Sequence, residues 1–471
     1  MVWPGASHMP CCDTMSRLGV VTLVVAFWRS LPVVHGSYVS SSVLPFNGAS
    51  VAVRLKAAQT WPEIWDVLAT DPRFRDEHWS KAPFLAQVPA VASSFSLAKV
   101  RAAAAAGEML AGQNTFLVKN PESFETAPGV RRGLKITPEV LESGLANGTM
   151  VLNDAGSAFL ELFEIARIGS RVLRLPVGIN VYITHASLER SAPLHTDRQD
   201  VFVLQCEGKK HWKVHPPPVV MPAEHQERGK SGNRVEPSAA GQVLLEATLQ
   251  PGDLLYVPRG FLHTTSRPPC GESGDTCATD LGGEGEFSTS LTIGVQTESM
   301  GFTYDKLLMC AMFLHGEGPS LEELRQLQAS FEFLRHPLPL SGAAFVAEAP
   351  ADEPGTAPRP LESAVDRLAS EWRAIFPGST PPTRQRWRKA SEIIVAGHER
   401  TLAEYTGQMF DAQVPAKLRQ EVWKRRYGAL LYGTLGRCGF LTRCFPTKFW
   451  LPKHTSRQRC WGAEPGSKPR T

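Results

Sequence analysis

Six short runs of β-type residues follow one another between positions 179 and 296: 179–184, 201–205, 211–214, 243–248, 254–257 and 290–296. Turn signals separate them, among them Glu207-Gly208-Lys209 and Pro251-Gly252-Asp253. Strands this short cannot bury a face singly, so they have to close on one another as a barrel or a double-sheet sandwich. Helical patterns flank them. Residues 61–68 (WPEIWDVL) open a helix with Pro62 in its first turn and apolar residues three to four apart. A second helix is expected over 96–110, a third begins where Thr137 caps Pro138-Glu139, and a fourth covers 156–168. Helical pattern returns at 302–314, at 321–334 and over 361–432, with a Pro-rich linker between.

The expected fold class is therefore α+β. Its parts are a targeting or disordered segment (1–50), a helical N-terminal part of the catalytic region (51–172) and a β barrel (173–300). A helical extension (301–345), a linker (346–360), a helical C-terminal region (361–435) and a basic tail (436–471) complete it.

Of the 471 residues, 42% are hydrophobic, enough for a packed core and too many for a wholly disordered chain. No uncharged run approaches the ~20 residues that span a bilayer, which argues against a polytopic membrane protein. A net charge of +4 does not by itself imply nucleic-acid binding. The tail from Gly436 is nonetheless basic, with eight Lys or Arg against Glu464. An exposed tail is its default reading, and contact with RNA or an acidic partner the alternative. Nine cysteines, an odd number and widely scattered, read as reduced thiols; a Cys270–Cys277 disulfide fits only an oxidising compartment. The uncharged stretch 18–28 between Arg17 and Arg29 has the length of a signal-peptide core. A start at Met15 and a buried β segment are the other readings.

The chemistry is concentrated in Pro193-Leu194-His195-Thr196-Asp197. On a strand, side chains two apart share a face, so His195 and Asp197 are expected to point together. Pro251-Gly252-Asp253 then leads into an apolar strand expected to end with His263 near a barrel mouth. Two histidines and one carboxylate on one face of a metal leave the other positions open, the pattern of non-haem Fe(II) oxygenases. Zinc would accept the same ligands, but its hydrolytic sites usually keep a single open position. Open positions suit a chelating cosubstrate such as 2-oxoglutarate, whose far carboxylate needs a cation inside the barrel. Lys210, on the return strand after Glu207-Gly208, suits that role, because a buried lysine without an anion is costly. His185, His211 and His215 are expected to be solvated or hydrogen-bonded rather than ligands, and Trp61, Trp65 and Trp79 to be packing residues.

Taken together, His195-Thr196-Asp197, the run from Gln205 to Trp212, and the run from Gln250 to His263 resemble the JmjC-domain cupins of the ribosomal oxygenase type. The segment from Phe74 to Leu85 resembles the opening of that domain, Asn180-Val181-Tyr182-Ile183-Thr184 its strand before the metal site, and Ser290-Leu291-Thr292 its closing strand. The resemblance covers about residues 61–340. It implies a double-stranded β-helix and a 2-oxoglutarate- and Fe(II)-dependent protein hydroxylase. His195, Asp197 and His263 would bind iron, Lys210 the cosubstrate's distal carboxylate, and Asn180 and Tyr182 would line its pocket. The implied substrate is a protein side chain, first a histidine of a ribosomal protein. Histone lysine demethylation and tRNA hydroxylation use the same site chemistry. It also implies a nuclear or nucleolar location, with an organelle or the secretory pathway as the alternative if residues 15–36 are a targeting signal, and a C-terminal region that can mediate a homodimer.

Two departures stand out: Ser290 where the family often has histidine, and an acidic, Gly-rich loop over 269–286 just after the third ligand. The C-terminal 110 residues do not match the family's winged-helix region. Rival readings are a metal-binding cupin without oxygenase activity, which usually shows His-X-His followed by Glu, and an inactive scaffold, which requires His263 to lie far from His195 and Asp197.

Overall fold

The computed structural model describes residues 49–408, apart from 110–114, 121–124, 127–134, 154, 187, 230–233, 270–286, 298–302, 317–318 and 339–360. The apolar N-terminal stretch, the acidic loop after Pro269, the Pro-rich linker and the basic tail therefore lie outside the described residues. So do seven of the nine cysteines; the other two, Cys206 and Cys310, are buried free thiols.

The chain begins with helices α1 (Ala49–Ala57) and α2 (Trp61–Thr70). A capping box starts α2: the Thr60 hydroxyl accepts from the Glu63 N–H, and Glu63 reaches back to the Thr60 N–H. Strand β1 (Phe84–Gln87), α3 (Leu97–Ala105), β2 (Thr115–Asn120), β3 (Glu125–Thr126), α4 (Pro138–Asn147), β4 (Thr149–Leu152) and α5 (Leu160–Leu173) follow. Thr137 caps α4 by accepting from the Val140 N–H, as the sequence suggests. The N-terminal part is thus not only helical. Its four strands were hidden in sequence because they are short and lack strict alternation, and they extend a sheet completed much later in the chain.

Eight more strands make the barrel: β5 (Val177–His185), β6 (Arg190–His195), β7 (Asp200–Glu207), β8 (Lys210–His215), β9 (Leu245–Leu249), β10 (Asp253–Val257), β11 (Leu262–Ser266) and β12 (Phe287–Val295). They form two sheets, all pairs antiparallel. The larger has the order β1-β10-β7-β12-β5-β4-β2-β3 and the smaller β6-β11-β8-β9. From β5 to β12 successive strands alternate between the sheets except at β8 and β9, which pair within the smaller one, and this gives the double-stranded β-helix. The expectation that β8 returns beside β7 as a hairpin is corrected here: the chain crosses to the other sheet at Gly208. That residue has φ +62°, and an added Cβ would lie 2.2 Å from the Phe287 carbonyl oxygen, so only glycine fits the crossing.

Alternation sorts the side chains into two cores. Phe202, Leu204, Val181, Ile183, Leu291 and Ile293 point outward from the large sheet into a core shared with α2, α3 and α5. Trp65 anchors that side: its ring meets Phe202 edge-on at 5.6 Å and its N–H donates to the Ile165 carbonyl. Trp61, Trp65 and Trp79 are all buried, in keeping with their reading as packing residues. Val201, Val203, Trp212, Val214, Leu249, Leu255, Val257 and Phe261 fill the space between the sheets.

Beyond the barrel, α6 (Tyr304–His315), α7 (Leu321–Ser330), α8 (Glu362–Ile375) and α9 (Arg384–Gln408) form a further helical region. Its core gathers Leu307, Leu308, Leu368, Trp372 and Trp387. Among the described residues, no helix is long and apolar enough to cross a membrane.

Candidate metal centre and cosubstrate pocket

His195 is the last residue of β6, and His263 the second of β11, directly opposite it in register. Their ring centroids are 4.2 Å apart. The His195 Nδ1 lies 2.7 Å from the Pro193 carbonyl oxygen, and the His263 Nδ1 3.0 Å from that of Phe261. A carbonyl only accepts, so each Nδ1 carries the ring proton and each Nε2 presents its lone pair. Both Nε2 atoms face Asp197, at 3.9 Å from His195 and 3.4 Å from His263. One ligand atom from each of the three residues falls within 4.8 Å of the others, the spacing of a shared ion.

The route to this cluster differs from expectation at two points. Asp197 does not lie on the strand with His195 but in the loop after it. There its backbone carbonyl accepts from the Gly260 N–H, tying the loop to the turn that precedes His263. And β10 ends at Val257, so His263 belongs to a separate strand begun after the Pro258–Phe261 turn. A second brace comes from Arg228, whose backbone exchanges hydrogen bonds with Thr196. Gly229 beside it, with φ +78°, packs so closely that an added Cβ would lie 2.2 Å from the Leu194 oxygen and 2.5 Å from the His195 Cα.

Asp200 proves to be a fully buried clamp. Its carboxylate accepts from the Tyr256 hydroxyl at 2.5 Å, the Thr297 hydroxyl at 2.9 Å, the Arg259 N–H and the Ser80 hydroxyl. Burial pushes its carboxyl above the usual range, against these hydrogen bonds. The sequence signal available was its spacing: an acid three residues beyond Asp197, directly before the apolar run Val201-Phe202-Val203-Leu204.

Lys210 opens β8 with its side chain inside the barrel and 4% exposed. Its ammonium donates to the Thr184 hydroxyl at 3.0 Å. The Thr184 hydroxyl then donates its hydrogen bond to the Thr149 hydroxyl, 3.1 Å away, which donates in turn to the Ser191 carbonyl oxygen at 3.5 Å. Burial alone pulls the Lys210 amine down to about 7. A buried cation held by one neutral acceptor is a poor arrangement unless an anion shares the space.

Asn180, Tyr182 and Thr184 alternate along the inner face of β5, and Ser288, Ser290 and Thr292 along that of β12, paired with them in register. The wall between the metal end and Lys210 is thus largely hydroxyl and amide. Thr184, which holds the Lys210 ammonium, is buried with Ser288 and Ser290, whereas Asn180, Tyr182 and Thr292, farther along the same two strands, are half-buried. Exposure along these two strands therefore falls toward Lys210. His211 lies on the outer face of the small sheet, bonded to Thr248 and Glu246, and His215 bonds the Gly241 carbonyl. Neither approaches the triad, and His185 packs edge-on against Phe287.

The donor set fits Fe(II): two neutral imidazoles in fixed tautomers with one carboxylate, and a buried, under-bonded cation deeper in the same pocket. Residues 158–274 match the family model described as the JmjC domain. Ribosomal oxygenase 1 of Gallus gallus is 33% identical over 205 residues, 42% of this chain and 33% of that protein. The bifunctional lysine-specific demethylase and histidyl-hydroxylase NO66 of Culex quinquefasciatus is 31% identical over 208 residues, 42% of this chain and 31% of that protein. The chain thus spans about a third of the length of these curated relatives. Among solved structures, the Escherichia coli ribosomal oxygenase YcfD aligns over 70% of both chains at 14% identity with a TM-score of 0.34. The matched segment holds His195, Asp197 and His263, so over residues 158–274 the chain is similar to the JmjC domain.

Proposed function

We propose that the protein is a 2-oxoglutarate- and Fe(II)-dependent dioxygenase that hydroxylates a protein side chain. One observation carries the reading: three ligand groups from β6, its following loop and β11 converge, with Lys210 buried behind them in the same pocket. His195 and His263 would hold the metal through Nε2 and Asp197 through its carboxylate, which offsets part of the ion's charge. Lys210 would hold the distal carboxylate of the cosubstrate, with Asn180 and Tyr182 lining the pocket. When bound, Fe(II) with 2-oxoglutarate and dioxygen supplies oxidation of an unactivated C–H bond to an alcohol, with release of succinate and carbon dioxide. The protein's own contribution is to fix the imidazole tautomers, keep a cation at the buried end and exclude water with the apolar wall of Val201, Val203, Leu255 and Val257.

The names of the relatives point to a ribosomal protein as substrate, and to histidine as the residue modified. A nuclear or nucleolar location and self-association through the C-terminal helices belong to the same proposal. The test is succinate formation from 2-oxoglutarate with Fe(II), comparing wild type with His195→Ala and Lys210→Ala. His195→Ala abolishes turnover and Lys210→Ala chiefly raises the 2-oxoglutarate requirement; turnover retained in His195→Ala defeats the proposal. A peptide array tiled over ribosomal proteins, read for the gain of one oxygen atom, then identifies the target. Formaldehyde release from methylated histone peptides, without that gain, would move the reading to a lysine demethylase, an activity in the printed name of the Culex relative.

A further inference from the structure

Along the inner face of β8 stand Lys210, Trp212 and Val214, two residues apart. Lys210 marks the buried end of the pocket. Val214 pairs in register with His263, and so marks the metal end. These backbone positions are four residue steps of strand apart, about 13 Å. Trp212 sits midway. Its ring stacks on His263 at 5.8 Å and 24°, and it is 6% exposed.

The indole N–H of Trp212 is buried and, among the described residues, has no hydrogen-bond partner. A buried donor left unsatisfied is costly, so one that persists beside a buried cation points to an acceptor supplied from elsewhere. Two neighbours narrow down what that acceptor is. Lys210 is a cation with one protein acceptor, two residues away on the same face. Ser191 and Thr265, which flank the space from β6 and β11, already bond each other at 2.7 Å and are not calling for a partner. The groups still requiring acceptors are therefore an ammonium and an indole N–H in line with the metal ligands. An anionic molecule stretched from the metal toward Lys210 passes Trp212 on its way.

We infer that Trp212 is a direct ligand of the cosubstrate: its indole N–H donates to an oxygen of the dicarboxylate held between the metal and Lys210. This rests on the proposed 2-oxoglutarate reading and extends it to a residue whose aromatic ring alone would pass as packing against His263. The indole supplies a neutral donor that does not titrate, beside an amine that does. It also orients the ligand chain, because a single N–H fixes the rotation that a spherical ammonium leaves free.

The experiment uses the full chain loaded with Zn(II), a diamagnetic stand-in, with its 11 tryptophans labelled with 15N at the indole. The Trp212 Nε1–H resonance is assigned by its loss in Trp212→Phe, then followed as 2-oxoglutarate is added to wild type. A downfield shift of that resonance that saturates with the binding curve is expected; a resonance that stays in place while 2-oxoglutarate binds overturns the inference. In parallel, Trp212→Phe keeps a ring against His263 and removes only the donor. Its 2-oxoglutarate affinity is expected to fall about tenfold, the value of one hydrogen bond to a charged group, with Zn(II) affinity unchanged. Equal loss of metal affinity and cosubstrate affinity would assign Trp212 a packing role only and overturn the inference. If wild type itself shows no metal-dependent binding of 2-oxoglutarate, it is the dioxygenase reading that falls.

Discussion

His263 stands opposite His195 across the β6–β11 ladder, and each ring donates from Nδ1 to the carbonyl oxygen two residues before it. The tautomers are thus set by backbone, before any ion arrives, and cannot be altered by changing a neighbouring side chain. Removing either imidazole is then a clean loss of one ligand. His195→Ala and His263→Ala are each expected to weaken Co(II) binding by at least about 100-fold, measured by the visible absorption of bound cobalt. The thermal midpoint of the metal-free protein should move little by comparison.

Lys210 gives the pocket a pH dependence. Burial lowers its amine to about 7, so in the folded protein it is charged below that value and neutral above it. Affinity for the 2-oxoglutarate dianion should therefore be full below pH 7 and fall by up to about tenfold per unit as pH rises past it. Binding above that point takes up a proton, detectable as a calorimetric heat that depends on the buffer. Lys210→Met should flatten the profile and abolish the proton uptake. The stability effect has the opposite slope: between about 7 and the unfolded value of 10.5 the unfolded chain binds the extra proton, so the fold gains stability as pH rises through that window.

Thr184→Val deletes the acceptor of the Lys210 ammonium and breaks the relay to Thr149. Stability should drop by about 1–3 kcal/mol in denaturant titrations. The lysine becomes harder still to charge, so the fall in 2-oxoglutarate affinity should begin at a lower pH than in wild type.

Gly229→Ala forces a methyl group into the backbone of Leu194 and His195 and strains a left-handed residue. Because the obstruction is main chain next to a metal ligand, both stability and Co(II) affinity should fall. We expect a loss of about 2 kcal/mol or more in thermal unfolding, together with weaker cobalt absorption at a fixed metal concentration.

Asp200→Ala leaves the Tyr256 and Thr297 hydroxyls and the Arg259 N–H without their acceptor inside the fold. A cost of about 3 kcal/mol or more is expected in denaturant unfolding. Asp200→Asn keeps an acceptor oxygen and should recover a substantial part of it; equal losses for the two variants would show that the clamp works by shape rather than by hydrogen bonding.

Much of this site was legible in the sequence because its residues sit in short, strongly patterned runs. His195, Asp197, His263 and Lys210 fall within segments whose apolar alternation and glycine turns are themselves distinctive. What escaped was set by long-range pairing. Whether β8 returns beside β7 or crosses to the other sheet depends on where Gly208 meets Phe287, which no local pattern records. Strands β1 and β4 are four residues long and take their partners from distant segments, Tyr256 and its neighbours for β1 and Val181 to Thr184 for β4. Asp200 and Thr184 have ordinary sequence surroundings; only burial beside particular partners makes one a clamp and the other a seat for a lysine.

Strand β12 runs between β5 and β7, contributing the middle of the large sheet although it begins at Phe287, beyond the segment matched by the family model. Likewise β1 covers the outer edge of β10 from far upstream. A recombinant fragment trimmed to residues 158–274 would leave two strands with raw hydrogen-bonding edges and no centre to join them, and should precipitate rather than bind metal. Expression work on this enzyme candidate needs boundaries that keep both β1 and β12, from before Phe84 to beyond Val295, however compact the recognisable signature looks.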